Sequence, residues 1–293
     1  MGSLGYDSRS MVSILIVNWN TREMLRGCLR SLADNPGQHP TEVIVVDNAS
    51  TDQSGALVES EFPDFRLLQA PTNLGYAAGN NLAASVATGE FLLTLNPDTE
   101  VFSDTIDRAV SALLVHPEIG VVAGKLIGSD GNIQRSVRGF PTFLGIFGQL
   151  TGLDRWIPRL ASYRLPSFDY GKEQVCDQPM GTFLMFRREA LDSVGSARSP
   201  FDESFPIFFN EVDLLFRLKD NGWPCLYVPS VRLKHYGGES TKQVRKAMIW
   251  ESHRSLVRYF KKHRPGLGTS LIAVAAWIGA FVRARGYDAG FRP

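Results

Sequence analysis

Apolar residues in the first hundred positions fall into short continuous runs that are separated by polar stretches. Runs of this kind predict buried strands at 13–17, 43–46, 66–69 and 91–95. Between them, apolar residues recur at helical spacing from Met24 to Leu32, and shorter helices are predicted near 53–60 and 76–87. This alternation of strand and helix predicts an α/β fold with a parallel sheet and right-handed crossovers.

The rest of the chain is less regular. Helices are predicted at 103–115, 188–194 and 211–221, and strands at 120–127, 181–186 and 226–233. Residues 133–178 are rich in Pro, Gly and aromatic residues without clear periodicity, which is typical of a functional loop or lid. We therefore make no secondary-structure prediction for this segment. Neither an internal repeat nor a linker divides the chain, so a single domain is expected.

Composition narrows the class of protein. An apolar content of 44% is ample for a packed core, and a net charge of +1 provides no global field for binding nucleic acid. Cys28, Cys176 and Cys225 lack the spacing of a metal site or of a disulfide framework, which favours a reducing compartment. The first ten residues contain no apolar signal segment, so we expect a cytoplasmic protein.

The carboxyl-terminal part contains an apolar run, Leu271 to Val282, that is shorter than the roughly 20 residues of a membrane-spanning helix. Basic residues precede and follow this run, and Trp277 lies within it. Such a helix suits the membrane interface, where cations meet anionic headgroups. Packing on the body of the protein, or on a second copy in a homodimer, explains the same pattern, and these alternatives stay open.

Two predicted strands end in acidic residues. Asp98 follows the strand at 91–95, and Asp47 follows the strand at 43–46. Open α/β sheets bind their ligands at the carboxyl edge, so both carboxylates are expected at one polar site. The sequence has no GxGxxG after its first strand and no GxxxxGK[ST]. A nucleotide diphosphate would therefore be neutralised by Mg²⁺ or Mn²⁺, with Asp98 as the protein ligand.

Seven short motifs follow one another along the chain: SILIVNWN, VIVVDNASTD, NLGYAAGNN, LNPDTE, GTFLMFRREAL, FFNEVDLLFRL and HYGG. In this order they resemble the family 2 glycosyltransferases, in particular the rhamnosyltransferase-like enzymes of bacterial polysaccharide assembly. The resemblance implies the GT-A fold, a mostly parallel central sheet flanked by helices, as a single nucleotide-diphospho-sugar transferase domain at 11–263. Its nucleotide-binding half would span 11–100 and its acceptor-binding half 101–263. Residues 1–10 would form an N-terminal extension and residues 264–293 a basic, apolar helical tail.

The resemblance also implies roles for single residues. Asp47 matches the acid that recognises the nucleobase, and a carboxylate that accepts an imide N–H would select uracil or thymine. Asn18 and Asn20 are expected to line the same nucleotide pocket. The alternative for these residues is helix capping: Asp47 with Asp52 for the helix that follows them, and Asn20 with Glu23 for the first helix.

The loop that lies near the donor sugar in this family is matched by Asn73, Gly75 and Asn80. Asn96 and Asp98 occupy the position of the family's DxD metal motif, with Asn96 in place of the first acid. The cation would then be held mainly by Asp98, the diphosphate and water. His235 matches a histidine that reaches the cation or the diphosphate in metal-dependent relatives, and the glycines after it would allow a loop to fold over phosphate.

Transfer with inversion requires a carboxylate that takes a proton from the acceptor hydroxyl. Glu211 and Asp213 match the acidic positions of the family for this role. Asp213 lies four residues before Arg217 on one helical face and suits a structural ion pair, so we predict Glu211 as the base. The alternative is that both acids only stabilise the first turn of a helix that is capped by Asn210.

These roles together predict an inverting, metal-dependent glycosyltransferase. Its donor would be a UDP- or dTDP-linked sugar, rhamnose or another hexose, and its acceptor a glycan or a lipid-linked saccharide. A sugar nucleotidyltransferase is one rival, although such enzymes have a glycine-rich basic loop where this chain has Asn18 to Thr21. A nucleotide-sugar-binding protein without turnover is the other rival.

Overall fold

The computed structural model describes residues 10–237 and 244–288, which form a nine-stranded mixed sheet with helices on both faces and a separate two-stranded ribbon. The first elements are β1 (Val12–Asn18), α1 (Arg22–Asp34), β2 (Thr41–Asp47), α2 (Ser54–Glu61), β3 (Arg66–Gln69), α3 (Tyr76–Val86) and β4 (Phe91–Leu95). They confirm the predicted alternation of strand and helix. Most of the predicted N-terminal extension, residues 1–9, lies outside the described residues.

The first half of the sheet is parallel, in the order β3-β2-β1-β4. Ile14 pairs with Val43 on one side and with Leu93 on the other. At the carboxyl edge Asn18 pairs with Asp47. The parallel register therefore brings the polar ends of β1, β2 and β4 to one edge, as the sequence predicted.

The second half of the sheet is mixed. Its elements are β5 (Thr99–Val101), α4 (Thr105–Val115), β6 (Val121–Ile127), β7 (Val137–Arg138), α5 (Phe143–Thr151), β8 (Gln174–Cys176), β9 (Gln178–Pro179), β10 (Phe183–Arg187), α6 (Arg188–Ser193), α7 (Asn210–Asp220) and β11 (Cys225–His235). Strand β10 is antiparallel to β4 and β6, whereas β11 is parallel to β6 and antiparallel to β5. The last pairing sets His235 opposite Thr99, next to Asp98 in the chain.

Two hydrophobic cores lie on opposite faces of the sheet. One contains residues of α1, α2 and α4, such as Leu25 and Val110. The other contains residues of α3 and α7, such as Ala84 and Leu214. Because the central strands are buried on both faces, their sequences are continuous apolar runs rather than alternating patterns.

Residues 133–178, for which no structure was predicted, contain short elements only. Strands β7 and β9 pair as the antiparallel ribbon, and single turns of 3₁₀ helix follow α5 at Leu153–Arg155 and Pro158–Leu160. Elements of two or three residues are too short to show a period. Helix α5 also leaves large apolar side chains exposed, so its sequence marks no single buried face: Leu144 is 63%, Phe147 51% and Leu150 52% exposed.

The carboxyl-terminal part forms α8 (Arg245–His263) and α9 (Leu267–Asp288). Ala276, Ala280 and Ala284 of α9 are buried, and Trp277 packs against Trp250 of α8 with ring centroids 5.2 Å apart. Large apolar residues of α9 are exposed: Leu271, Val274, Ile278, Phe281 and Val282. Helix α9 thus packs on the protein through its alanines, as one alternative predicted. No helix among the described residues is long and apolar enough to cross a bilayer.

Candidate functional site

A cleft of about 410 Å³ opens at the carboxyl edge of the sheet. It brings together predicted residues from three parts of the chain: Asn96, Asp98, Glu211 and His235. Several polar atoms of its wall are buried without a hydrogen-bond partner: Asn96 Oδ1, Gln178 Oε1, Thr182 Oγ1 and both amide atoms of Asn210. Because buried polar groups are rarely left unpaired, this wall is suited to a polar ligand.

Asp98 and His235 face each other, with 3.6 Å between Asp98 Oδ1 and His235 Nε2. Gln134 sets the tautomer of the imidazole, since its Nε2 donates to the His235 carbonyl at 3.0 Å and its Oε1 accepts from Nδ1–H at 2.7 Å. The lone pair of His235 Nε2 therefore points towards the carboxylate. Burial lowers the pKa of His235, despite the opposing charge of Asp98, and the neutral imidazole can act as a metal ligand.

Two facing acceptor atoms fit a divalent cation between them, since carboxylate oxygen and imidazole nitrogen are both ligands of Mn²⁺. Within residues 10–237 and 244–288, no three His, Cys, Asp or Glu side chains cluster as a closed metal site requires. A cation held here would complete its coordination with ligand oxygens and water. The unpaired Oδ1 of Asn96 lies in the wall of the same cleft. Of the two glycines after His235, Gly238 lies outside the described residues.

Glu211 is half-buried at the second position of α7. A Cβ atom at Gly181 would lie 3.3 Å from the Cβ and Cγ atoms of Glu211, so the glycine leaves room for this side chain. Burial raises the pKa of Glu211 to about 7, although hydrogen bonds from the backbone N–H groups of Glu211 and Val212 oppose the shift. A carboxyl group that titrates near neutrality in a cleft is suited to proton transfer.

The residues before Glu211 differ from the prediction. Asn210 is the first residue of α7 and not its cap, because Phe209 precedes it with a φ of +66° and no side chain caps the helix. A bulky residue in this region of φ is strained, and such strain is found at functional sites. Asn210 instead lines the cleft, fully buried and with both amide atoms unpaired. It is a ligand-binding candidate that the sequence reasoning missed.

Asp213 lies outside the cleft wall and is fully buried. It accepts from Arg217 Nε at 2.9 Å, which confirms the predicted ion pair, and from Lys262 Nζ and His263 Nε2 at 2.7 Å each. Although burial opposes ionisation, the hydrogen bonds from His263, Lys262 and Arg217 keep the pKa of Asp213 below its usual value. This carboxylate joins α7 to α8, so of the two predicted acids only Glu211 is placed to meet a ligand.

Replacing Asp213 with Ala is expected to lower the free energy of unfolding by about 3–5 kcal/mol, because it leaves the mostly buried guanidinium group of Arg217 without its carboxylate. Urea denaturation of the variant measures the loss. The matched control is Asp177→Ala, whose partner Lys219 is half-exposed and whose ion pair contributes about 1 kcal/mol or less. Equal losses in the two variants would contradict a structural role for Asp213.

Asp47 lies at the end of β2 and is almost fully buried, and its Oδ1 has no hydrogen-bond partner. Asp52, and not Asp47, binds the start of α2, since its Oδ1 accepts from Ser54 N at 3.1 Å and from Ser54 Oγ at 2.6 Å. The capping alternative therefore holds for Asp52 only. Asp47 keeps an acceptor oxygen for a ligand.

Asn18 and Asn20 bond within the protein. Asn18 accepts from Thr21 Oγ1 at 2.6 Å and donates to Ser50 Oγ at 3.2 Å, while Asn20 Oδ1 accepts from the backbone N–H of Thr51 at 2.7 Å. The first N–H of helix α1, that of Arg22, donates to Asp52 Oδ2 at 2.9 Å, so the predicted capping box at Asn20 is wrong. The amide oxygen of Asn20 holds the exit of β2 instead. These bonds tie the exits of β1 and β2 together beside Asp47.

The predicted donor loop is shaped by Asn48, which the sequence reasoning missed. Asn48 Nδ2 donates to Asn73 Oδ1 at 2.9 Å and to the carbonyl of Gly75 at 3.1 Å. Gly75 has a φ of +85°, and a Cβ atom there would lie 2.8 Å from the carbonyl oxygen of Pro206, so only glycine fits. Asn80 is buried with Oδ1 unpaired. Neither these residues nor those around Asp47 line the cleft itself.

Comparison with known proteins agrees with this geometry. The family model described as glycosyl transferase family 2 matches residues 13–195, more than half of the chain. The chain belongs to glycosyl transferase family 2. This glycosyltransferase is 26% identical over 246 residues to the N-acetylglucosaminyl-diphospho-decaprenol L-rhamnosyltransferase of Mycobacterium tuberculosis, covering 78% of this chain and 77% of that protein. It is 28% identical over 269 residues to the O-antigen biosynthesis protein RfbC of Myxococcus xanthus, covering 88% of this chain and 19% of RfbC.

Two solved structures share the fold. The mannosyltransferase PcManGT from Pyrobaculum calidifontis, in complex with GDP-Man and Mn²⁺, superposes with a TM-score of 0.57 at 19% identity, covering 94% of this chain and 75% of that one. TarS residues 1–349 of S. aureus, in complex with UDP-GlcNAc, give a TM-score of 0.54 at 18% identity, covering 94% and 81%. The predicted family, its rhamnosyltransferase-like character and the GT-A fold are confirmed.

Proposed function

We propose that this glycosyltransferase acts with inversion and moves a sugar, rhamnose or another hexose, from a UDP- or dTDP-linked donor to a saccharide acceptor of a cell-envelope polysaccharide. The observation that carries this proposal is the single cleft that holds Glu211 together with the facing pair of Asp98 and His235. The names of the relatives from M. tuberculosis and M. xanthus support the sugar and the type of product.

Donor binding is assigned to two places. Asp98 and His235 would hold Mg²⁺ or Mn²⁺, which when bound offsets the negative charge of the departing nucleotide diphosphate. The unpaired oxygen of Asp47 would accept the imide N–H of uracil or thymine. Asn210, with its unpaired amide, would orient the reacting sugars in the cleft.

The chemical step is assigned to Glu211. Its carboxylate takes the proton of an acceptor hydroxyl while that oxygen attacks the anomeric carbon on the face opposite the diphosphate. The bond from the anomeric carbon to the phosphate oxygen breaks, and its electron pair leaves with the nucleotide diphosphate. One displacement of this kind inverts the anomeric configuration. The raised pKa of Glu211 allows it to accept this proton and to release it near neutral pH.

The acceptor that we propose is a lipid-linked saccharide at the cytoplasmic face of the cell membrane. The name of the M. tuberculosis relative contains a diphospho-decaprenol acceptor, and α9 exposes a row of large apolar side chains. Residues 245–288 contain nine Lys or Arg and two Asp or Glu, although the whole chain has a net charge of only +1. This local excess of positive charge complements anionic headgroups.

Thermal shifts with a panel of nucleotides test the donor assignment. With Mn²⁺ present, UDP and dTDP are expected to raise the melting temperature by several degrees at saturation, and GDP and ADP by much less. Asp47→Ala should lose most of the preference for uracil and thymine. Asp64→Ala, which removes an exposed carboxylate, should leave it unchanged. A larger shift with GDP than with UDP or dTDP would contradict the proposed base recognition.

A further inference from the structure

Two arginines in the cleft wall have no acidic partner. Arg135 and Arg138 both line the cleft, and no carboxylate of the described residues lies within ion-pairing distance of either guanidinium. Arg135 has only a 3.5 Å contact with the carbonyl of Pro166, and Arg138 lies 5.6 Å from the ring centroid of Tyr163. In contrast, Arg217 at the back of α7 is paired with a buried acid. The cleft therefore contains two guanidinium groups that are available to an anion.

These two arginines line the same cleft as Glu211, the proposed base. Arg138 of β7 pairs with Gln178 of β9, and Gly181, which contacts Glu211, follows three residues after Gln178. Arg135, Arg138 and Glu211 therefore line one cleft, and the strand that pairs with Arg138 leads directly to the glycine that contacts Glu211.

The chemistry of the pair suits a phosphate. Guanidinium groups bind phosphate oxygens through two parallel N–H donors, and unpaired arginines retain this capacity. The proposed cation site for the donor diphosphate is formed by Asp98 and His235, which also line the cleft. A second anion on the arginine side would belong to the acceptor.

The helix that follows Arg138 in the chain exposes large apolar side chains. The chain passes from Arg138 into α5, which exposes Leu144, Phe147 and Leu150. A Cβ atom at Gly268 would lie 2.8 Å from the ring of Phe143, so the start of α9 packs against the start of α5. The exposed apolar side chains of α5 and α9 therefore belong to two helices that pack against each other.

We infer that Arg135 and Arg138 bind the diphosphate of a prenyl-diphosphate-linked saccharide, and that the prenyl chain leaves the cleft over the exposed side chains of α5. This inference rests on the proposed transfer reaction, and it adds which residues of the cleft bind the acceptor. It assigns the two arginines to acceptor binding and not to the donor.

Binding of farnesyl diphosphate to the whole chain without added metal tests the assignment, since the probe then cannot bind through a cation. Calorimetry should show binding by the parent protein that is weakened about tenfold or more in the double variant Arg135→Ala, Arg138→Ala. Arg198→Ala, at an exposed arginine elsewhere, should bind as the parent does. Arg138→Lys keeps the charge without the planar fork and should show a smaller loss.

Further binding measurements distinguish a prenyl diphosphate from a free diphosphate, and an acceptor site from a donor site. Inorganic diphosphate should bind more weakly than farnesyl diphosphate, and Phe147→Ser should weaken only the prenylated probe. Equal binding of both probes, unaffected at Phe147, would overturn the prenyl assignment. UDP and dTDP binding with Mn²⁺ should be unchanged in the arginine variants. If it weakens as much as farnesyl diphosphate binding, the arginines belong to the donor and the inference fails, while the proposed function stands.

Discussion

Replacing Glu211 with Gln is expected to lower kcat by about 10²- to 10⁴-fold, the usual contribution of a general base. The amide has nearly the size of the carboxylate, so the contact with Gly181 should persist, but it cannot accept a proton. Donor binding should therefore be retained. Initial rates of nucleotide diphosphate release, together with calorimetric titration of the donor, measure both effects.

The chain offers a matched control for this substitution. Glu189 occupies the second position of α6, as Glu211 does in α7, but is exposed outside the cleft. Glu189→Gln should leave the rate unchanged. A near-normal rate for Glu211→Gln would show that another group takes the proton.

The pH profile gives an independent readout of the same residue. Because burial raises the pKa of Glu211 to about 7, the carboxyl group is protonated and inactive as a base below that pH. Hence kcat/KM should rise about tenfold per pH unit below neutrality and level off above it. Glu211→Gln should lose this dependence, whereas Glu189→Gln should keep it.

Replacing Asp98 with Ala is expected to remove the Mn²⁺ dependence of UDP or dTDP binding and to lower transfer by about 10²-fold or more. Without the carboxylate, His235 is the remaining member of the facing pair and cannot neutralise a diphosphate. Calorimetric titration of nucleotide with and without Mn²⁺ measures the first effect independently of turnover. Circular dichroism checks that the fold is retained.

Asp64→Ala is the control for charge, since it also removes one carboxylate but at an exposed position outside the cleft. Its nucleotide binding should depend on Mn²⁺ as in the parent. If Asp98→Ala still bound nucleotide with unchanged metal dependence, the cation would have to be held elsewhere. The proposed role of the pair formed by Asp98 and His235 would then be wrong.

The first half of the sheet could be predicted from the sequence because its strands and helices are marked by local patterns of apolar residues. Each of β1, β2 and β4 is a continuous apolar run, and parallel pairing brings Asp47 and Asp98 to one edge without further information. The ion pair of Asp213 with Arg217 was predictable for the same reason, since both residues lie on one helical face. The second and third partners of that carboxylate, Lys262 and His263, come from α8.

The features that the sequence did not predict depend on pairing between strands that are distant in the chain. An apolar run does not encode strand direction, so the antiparallel insertion of β10 was not predicted. His235 reaches Asp98 because β11 pairs with β5, a three-residue strand that shows no pattern. Gln134, which sets the imidazole tautomer, comes from the segment without periodicity. A motif could suggest His235 but not its orientation.

Capping residues show a different limit. Asn20 and Asn210 have the residue type of helix caps, yet one holds a neighbouring strand exit and the other lines the cleft. Amide side chains satisfy many local geometries, so residue type alone does not choose between a cap and a ligand contact. The role of each amide depends on the groups that the fold places next to it.

The exposed leucine, valine and phenylalanine side chains of α5 and α9 bear on which acceptor concentration controls the reaction rate. Under the proposed contact with a membrane, the protein would meet acceptors that diffuse within the plane of the bilayer. The relevant quantity is then the mole fraction of acceptor among the lipids, and dilution with inert lipid would slow the enzyme even when the total amount of acceptor in the vessel is constant.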